Sequence, residues 1–410
     1  MEHRGASKFI NGRWSPCPRS TTSANTSVTA AAVPRRFRIV DAMRSGHGAG
    51  RRWSLVGALV ATLIALPSVI SRWPVTESAR SAAELRVAAL ASATVPFSGD
   101  AVSTGGLSLP VGDQLSSIAD LLSDRTSMRV WWRGPRDARV DVVTVSGETD
   151  VHRDATGAWT WDYEANTATR APFAPLLLPG PSDLLPTTLA DRLLSQAQPS
   201  ELSTIGAIRV AGRTALGLRI TPTETVASVA WVDIWVDPDS GLPLQVQVFG
   251  AGEQNPAVDT RFLDLDLDMP SADIISFTPP AHAQVGVDPQ GDVLANAGRR
   301  LSRVTFPDTL AGLPRQTVTG VPFTVGLYGR GVTLLAVVPL PYDLAHDLAR
   351  AAAQDPTAVS DQLGIRRRAG ILGILLATPA DSAPYLLTGT VTLDALAAAA
   401  RALPGLSGAR

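Results

Sequence analysis

One cysteine in 410 residues, Cys17, excludes an internal disulfide and any cysteine-based metal site within one chain. It also lacks the apolar, small-residue run that precedes a lipidated cysteine. Lysine is nearly absent: Lys8 is the sole example, so arginine carries the rest of the positive charge. The five histidines, His3, His47, His152, His282 and His346, are dispersed, and no HExxH pair, GxSxG elbow or P-loop occurs. GHGAG at 46–50 follows no strand, so it is not read as a phosphate loop. No catalytic constellation is assembled from these residues. The chain is expected to be no enzyme, with no cofactor and no metal site.

A large net charge is also missing, but the value of −1 hides an asymmetry. Residues 1–52 hold ten basic residues against Glu2 and Asp41, which leaves 26 basic against 35 acidic in the remainder. An acidic body repels phosphate, so nucleic acid is excluded as its partner. Long apolar runs are scarce as well. The one example, Ser54–Ile70, is flanked by Arg51, Arg52 and Arg72, with Trp53 and Trp73 at its ends. As a helix it rises about 25 Å, enough to span a bilayer with its aromatic flanks at the interfaces. Residues 53–72 are therefore expected to be a single-pass anchor in the cytoplasmic membrane. Residues 1–52 then form a disordered basic cytoplasmic tail, and the bulk of the chain is extracytoplasmic. A cleaved signal segment is the other reading of the same run, and both Met1 and Met43 could serve as the start.

What the body does have is alternation. In the stretch Val229–Phe249, Ala230, Val232, Ile234 and Val236 share one face while Trp231, Asp233, Trp235 and Asp237 share the other. Asp237-Pro238-Asp239-Ser240-Gly241 then turns the chain, and Leu244, Val246 and Val248 alternate with Gln245 and Gln247, which reads as a hairpin. The same pattern predicts strands at 128–143, 157–170, 207–210, 215–221 and 258–268. In the last, Leu263, Leu265 and Leu267 alternate with Asp264, Asp266 and Asp268; without a turn glycine that aspartate row reads as a solvated face, not a calcium loop. Helical spacing predicts a short helix within 77–96, another at 113–122 through Leu115, Ile118 and Leu122, and a third at 187–197 with Leu189 and Leu193 on one side. The proline-rich stretch 171–186 cannot carry a strand. Residues 77–287 are expected to form one β-rich domain. Residues 299–410 form a smaller α+β domain, with one strand expected at 368–376 and a closing helix at 393–403. Trp231 and Trp235 are either covered by that smaller domain or form a partner surface.

Four strings, MRVWWRGPRDARVDVV, GAWTWDYEANTATR, DIWVDPDSGLPLQVQV and ISFTPPAHAQV, occur in an order and spacing that resemble the LolA-like lipoprotein-carrier superfamily. The branch that looks nearer is that of the MucB/RseB sigma-factor regulators and their membrane-anchored actinobacterial relatives. The resemblance covers about residues 84–287, and the tail YLLTGTVTLDALAAAARAL resembles the end of the small C-terminal domain of RseB-like proteins. It implies an α+β fold: a curved, half-open antiparallel sheet (an unclosed LolA-like barrel) around an apolar cavity, closed by helical lids. On that expectation Val130, Trp132, Val142, Trp159, Trp161, Leu218, Val232, Ile234, Val246 and Leu265 line the cavity. Leu115, Ile118, Leu122, Leu189 and Leu193 belong to the lids. The function implied is binding of lipid or lipoprotein acyl chains; the alternative is an RseB-like regulator that contacts an anti-sigma factor or an ABC transporter. An open cavity of several hundred Å³ fits the first, and an interior filled by side chains fits the second.

Overall fold

A computed structural model describes residues 80–105, 125–143, 147–172, 180–287, 305–317, 325–379 and 383–403, together with Val56 and Val60. The expected tail, the rest of the expected anchor, and the expected lid helix with Leu115, Ile118 and Leu122 lie outside the described residues. Among the described residues, no helix is long and apolar enough to cross a membrane.

Twelve strands form the first sheet: β1 (Phe97–Gly105), β2 (Arg125–Gly134), β3 (Asp137–Val143), β4 (Glu148–Asp154), β5 (Gly157–Asp162), β6 (Thr167–Pro172), β7 (Leu202–Val210), β8 (Arg213–Ile220), β9 (Val229–Val236), β10 (Pro243–Gly250), β11 (Val258–Asp266) and β12 (Gln284–Val287). Their order is β12-β6-β5-β4-β3-β2-β1-β11-β10-β9-β8-β7, antiparallel throughout except for β12, which runs parallel to β6. The sheet is open but strongly curled, for its edge strand β7 comes back into contact with β11.

Two helices fill the curl, α1 (Ala82–Ala91) and α2 (Pro186–Gln196). α1 starts at a capping box: the Glu84 N–H donates to Ser81 Oγ at 3.3 Å, and the Ser81 N–H donates to Glu84 Oε2 at 2.7 Å. α2 starts on Pro186, whose fixed φ suits the first helical position. The β9–β10 turn is held by the buried Asp237 carboxylate, which accepts from the Asp239 N–H at 3.0 Å and from Ser240 Oγ at 2.9 Å. Gly241 closes that turn at φ +77°, and a Cβ there would lie 2.6 Å from the Ala88 carbonyl oxygen of α1. Only glycine meets both demands.

α3 (Ala272–Ile275) follows β11 and crosses the outer face of the first sheet. The second sheet comprises β13 (Thr309–Leu310), β14 (Leu313–Gln316), β15 (Gly326–Arg330), β16 (Thr333–Pro339), β17 (Val359–Asp361), β18 (Gly364–Ala369), β19 (Leu372–Ala377) and β20 (Tyr385–Gly389), in the order β13-β14-β15-β16-β20-β19-β18-β17. α4 (Tyr342–Ala353) and α5 (Leu393–Arg401) pack on it. The single strand expected at 368–376 is in fact two, because Gly370 at φ +55° turns the chain between Ala369 and Leu372.

The two sheets are joined by backbone bonds and one buried ion pair. The Ser228 N–H donates to the Thr390 carbonyl at 3.1 Å and the Thr392 N–H to that of Val226 at 2.9 Å. Arg330 grips the buried Glu201 with Nη1 at 2.8 Å and Nη2 at 3.0 Å. Burial alone would raise the Glu201 carboxyl, yet the Arg330 hydrogen bonds and charge hold it below its usual value.

Candidate functional site

The inner face of the first sheet follows from its register. Trp132 lies opposite Phe97, and Val130 opposite Gly99, which in turn pairs with Leu265. Farther round the curl, Leu218, Ile234 and Val246 form one cross-strand row, and Ile220, Val232 and Val248 the next. Val130, Trp132, Val142, Leu218, Val232, Ile234, Val246 and Leu265 are all at most 8% exposed.

Trp159 and Trp161 do not join them, which corrects the expected lining. The β4–β5 register sets Trp159 opposite His152 and Trp161 opposite Asp150, and those rows continue through Arg139 and Asp141 to Trp131 and Arg129. The inward residues of β5 are the small Ala158 and Thr160. The indoles point outward because the strap after β11 roofs them: Phe277 lies 5.8 Å from Trp159 and 6.2 Å from Trp161, and the Arg170 guanidinium sits 5.1 Å above Trp159. A second correction falls in β11. The register shift at Asp100/Ala101 sets Asp100 opposite Asp264 and Ala101 opposite Phe262, so Leu263 is the extra, exposed residue of a bulge. Phe262 takes the inward position instead.

The helical cover is packed tightly. α2 buries Pro186, Thr187, Ala190 and Leu194, while Leu189 and Leu193 rest half-buried on its flank against the same cluster as Leu85 and Ala89 of α1. Arg86 Nε of α1 donates to the Leu194 carbonyl at 2.9 Å, a cation at the C-terminal end of α2. Leu194, Leu218, Val232, Ile234 and Val246 have no exposed surface, so no water-sized void lies against them.

A cleft of about 120 Å³ opens where α1 and α2 meet the strands. Its apolar wall is Ala89, Ala93, Phe97, Trp132 and Pro135. Phe97 and Trp132 stack at 5.9 Å, and Trp132 Nε1 donates to the Ala93 carbonyl at 3.0 Å, which fixes the wall. The remaining lining is polar: Ser92, Arg153, Thr187, Thr188 and Asp191. Arg153 donates to Ser182 Oγ, but among the described residues no carboxylate lies within ion-pair distance of it. Burial pushes its guanidinium below the usual value, against the attraction of Asp183. The Thr187 and Thr188 hydroxyls are buried without a hydrogen-bond partner. Burial raises the Asp191 carboxyl. Ser92, Thr187, Thr188 and Asp191 were not singled out from the sequence as site residues. A shallower cleft of about 250 Å³ lies along Asp100, Met128, Arg129, Val143 and Leu263.

On the outer face, Asp141, Glu148 and Asp150 bring carboxylate oxygens within 4.8 Å of one another. Two guanidiniums already serve them. Arg139 Nε lies 2.6 Å from Asp141 Oδ1 and its Nη2 lies 2.9 Å from Asp150 Oδ2, while Arg129 pairs with Glu148. A metal ion there would have to displace both. Burial first, then the Asp141 charge, pushes Asp150 up to about 7 against the pull of Arg139. Nearby, burial lowers His152, whose Nδ1 lies 2.8 Å from the Ile275 carbonyl. Trp231, also on the outer face, stacks on Phe249 at 4.9 Å under the Arg219 guanidinium.

No protein-family model matches the chain, and no curated protein matches it. Among solved structures it is similar to the Pseudomonas aeruginosa MucA/MucB complex, at 17% identity and a TM-score of 0.45 over 78% of this chain and 96% of that one. It is similar to MucB alone at 17% identity and a TM-score of 0.40, over 77% of this chain and 94% of that one. A LolA superfamily protein from Nitrosomonas europaea matches at 12% identity and a TM-score of 0.23, over 48% of this chain and 99% of that one.

Proposed function

We propose that this chain is a non-catalytic regulatory protein that works through protein contacts outside the cytoplasmic membrane, to which residues 53–72 tether it. The filled inner face is the observation that carries this reading. The side chains an acyl chain would have to touch, Leu218, Val232, Ile234 and Val246, already touch one another and the helical cover. Among the described residues, the two clefts of about 120 and about 250 Å³ are each smaller than the several hundred expected of a lipid cavity. The basic stretch 1–52 beside an apolar run supports the orientation. The partner class that the sequence resemblance implies is an anti-sigma factor. Calorimetric titration with the extracytoplasmic segment of an anti-sigma factor from the same host tests the proposal. Saturable binding is expected, and no heat with such a segment would contradict it.

The second reading keeps the acyl chain as ligand and requires α2 to lift. The apolar inner face carries two clusters, one around Trp132 and one around Leu218, and the second is covered by α1 and α2 rather than by a second sheet, which favours it. Burial yields about 0.8 kcal/mol per methylene, enough to offset exposing Ala190 and Leu194 during opening.

A further inference from the structure

Two hairpin tips of the second sheet are unlike ordinary tips. The β15–β16 tip is Gly331-Val332 and the β18–β19 tip is Gly370-Ile371, each closed by a paired residue on either side, Arg330 with Thr333 and Ala369 with Leu372. In both, the glycine is at φ +55° and the next residue is outside the left-handed region, as in a type II′ turn. Such tips normally carry polar residues into water. Here the second position is β-branched and sealed: Val332 is 8% exposed and Ile371 is 7%. Both belong to the cluster that α1 and α2 form with the inner face of the first sheet, alongside Leu85, Leu194 and Leu218.

The Val332 tip also grips the end of α2. The Gly331 N–H donates to Gln196 Oε1 at 2.7 Å, and Arg330 Nη1 donates to the Gln196 carbonyl at 3.4 Å. Gln196 is the last residue of α2, whose last turn has no basic residue of its own. Cations reach that end, where carbonyls lack partners within the helix, from α1 through Arg86 and from the second sheet through Arg330. The closed position of α2 carries a cost of its own. Thr187 and Thr188 keep hydroxyls buried with no partner among the described residues, a deficit that water would relieve.

We propose that the second sheet latches α2: the Val332 and Ile371 tips and the Arg330–Gly331 grip hold closed a cover that its own buried hydroxyls push open. Withdrawing the tips removes the Gln196 bonds and two members of the cluster together, so α2 lifts ahead of the sheet beneath it. The Gln196 bonds are exposed, so water replaces them readily, while β9 and β10 keep their ladder. Movement of the second sheet is thereby coupled to opening of the inner face, and this holds under either reading of the ligand.

Hydrogen–deuterium exchange of the full chain in detergent tests the latch, with peptides from 186–196 compared against peptides from β9–β10 and corrected for intrinsic rates. Gln196→Ala, which removes the Gly331 acceptor, should speed exchange in α2 about fivefold, the worth of one hydrogen bond. Val332→Ala with Ile371→Ala should speed it by at least about tenfold, and by more than in β9–β10. Thr187→Val with Thr188→Val should act in the opposite sense and slow α2 exchange, because the closed helix then buries no unbonded hydroxyl. Gln196→Ala and the threonine pair keep the test decisive if the double alanine variant fails to fold. Exchange of α2 unchanged in Gln196→Ala, acceleration no greater in α2 than in β9–β10, or exchange not slowed in the threonine pair would each overturn the proposal. Failure here leaves the anti-sigma titration untouched, so the two claims fall separately.

Discussion

Replacing Arg330 by Met should destabilise the protein far more than an ordinary ion-pair deletion. Glu201 is 3% exposed and takes both guanidinium nitrogens, at 2.8 and 3.0 Å, with the Gln198 N–H as a further donor at 2.7 Å. Removing the guanidinium leaves a buried, uncompensated carboxylate, a loss of about 3–5 kcal/mol. The exposed-pair figure of about 0–1 kcal/mol does not apply, because Glu201 cannot turn to water. The sign with pH follows from the depressed carboxyl. In the wild type its stabilisation is present above the ordinary carboxylate range and is lost as pH falls through its lowered folded value. In the variant the carboxyl can protonate instead, so the deficit should be large at neutral pH and shrink toward about pH 4, near the model-peptide value. Urea denaturation of wild type and Arg330→Met at both pH values measures it. A deficit below about 1 kcal/mol at neutral pH, or one equal at both, would refute the argument.

Three further outcomes are expected. Trp132→Ala should cost about 3–5 kcal/mol by chemical denaturation, and Trp159→Ala clearly less, because Trp132 is 5% exposed while Trp159 is half-buried on the outer face. Gly241→Ala should lower stability by about 1–3 kcal/mol, read from the thermal midpoint, since φ +77° and the Ala88 oxygen both oppose a Cβ. Asp150, raised to about 7, contributes stability that is fully present below its unfolded value and is lost as pH rises through 7. Asp150→Asn should therefore flatten the stability–pH profile between about 4 and 7 in denaturation series.

Alternation carried most of the first sheet, because a strand with one buried face writes that face into every second residue. The β9–β10 hairpin was legible on these grounds, from Val232 to Val248. Period two says which residues share a face but not which face is inner. Trp159 and Trp161 were misplaced for that reason, since the strap carrying Phe277 that roofs them is distant in sequence. The Leu263 bulge was invisible because LDLDLD alternates perfectly, and the register shift arises from pairing with β1. The cleft was illegible for a different cause. Arg153 and Thr187 are ordinary in their own segments and become unusual only when the fold withholds their partners.

The central claim is that the inner face is filled and takes no acyl chain in the working protein. Native mass spectrometry of residues 77–410, purified without detergent and then exposed to long-chain acyl probes, tests it most directly. The account predicts an apo mass with no uptake. A bound lipid that disappears on Ile234→Asp, with circular dichroism unchanged, would contradict it and establish the acyl-binding reading.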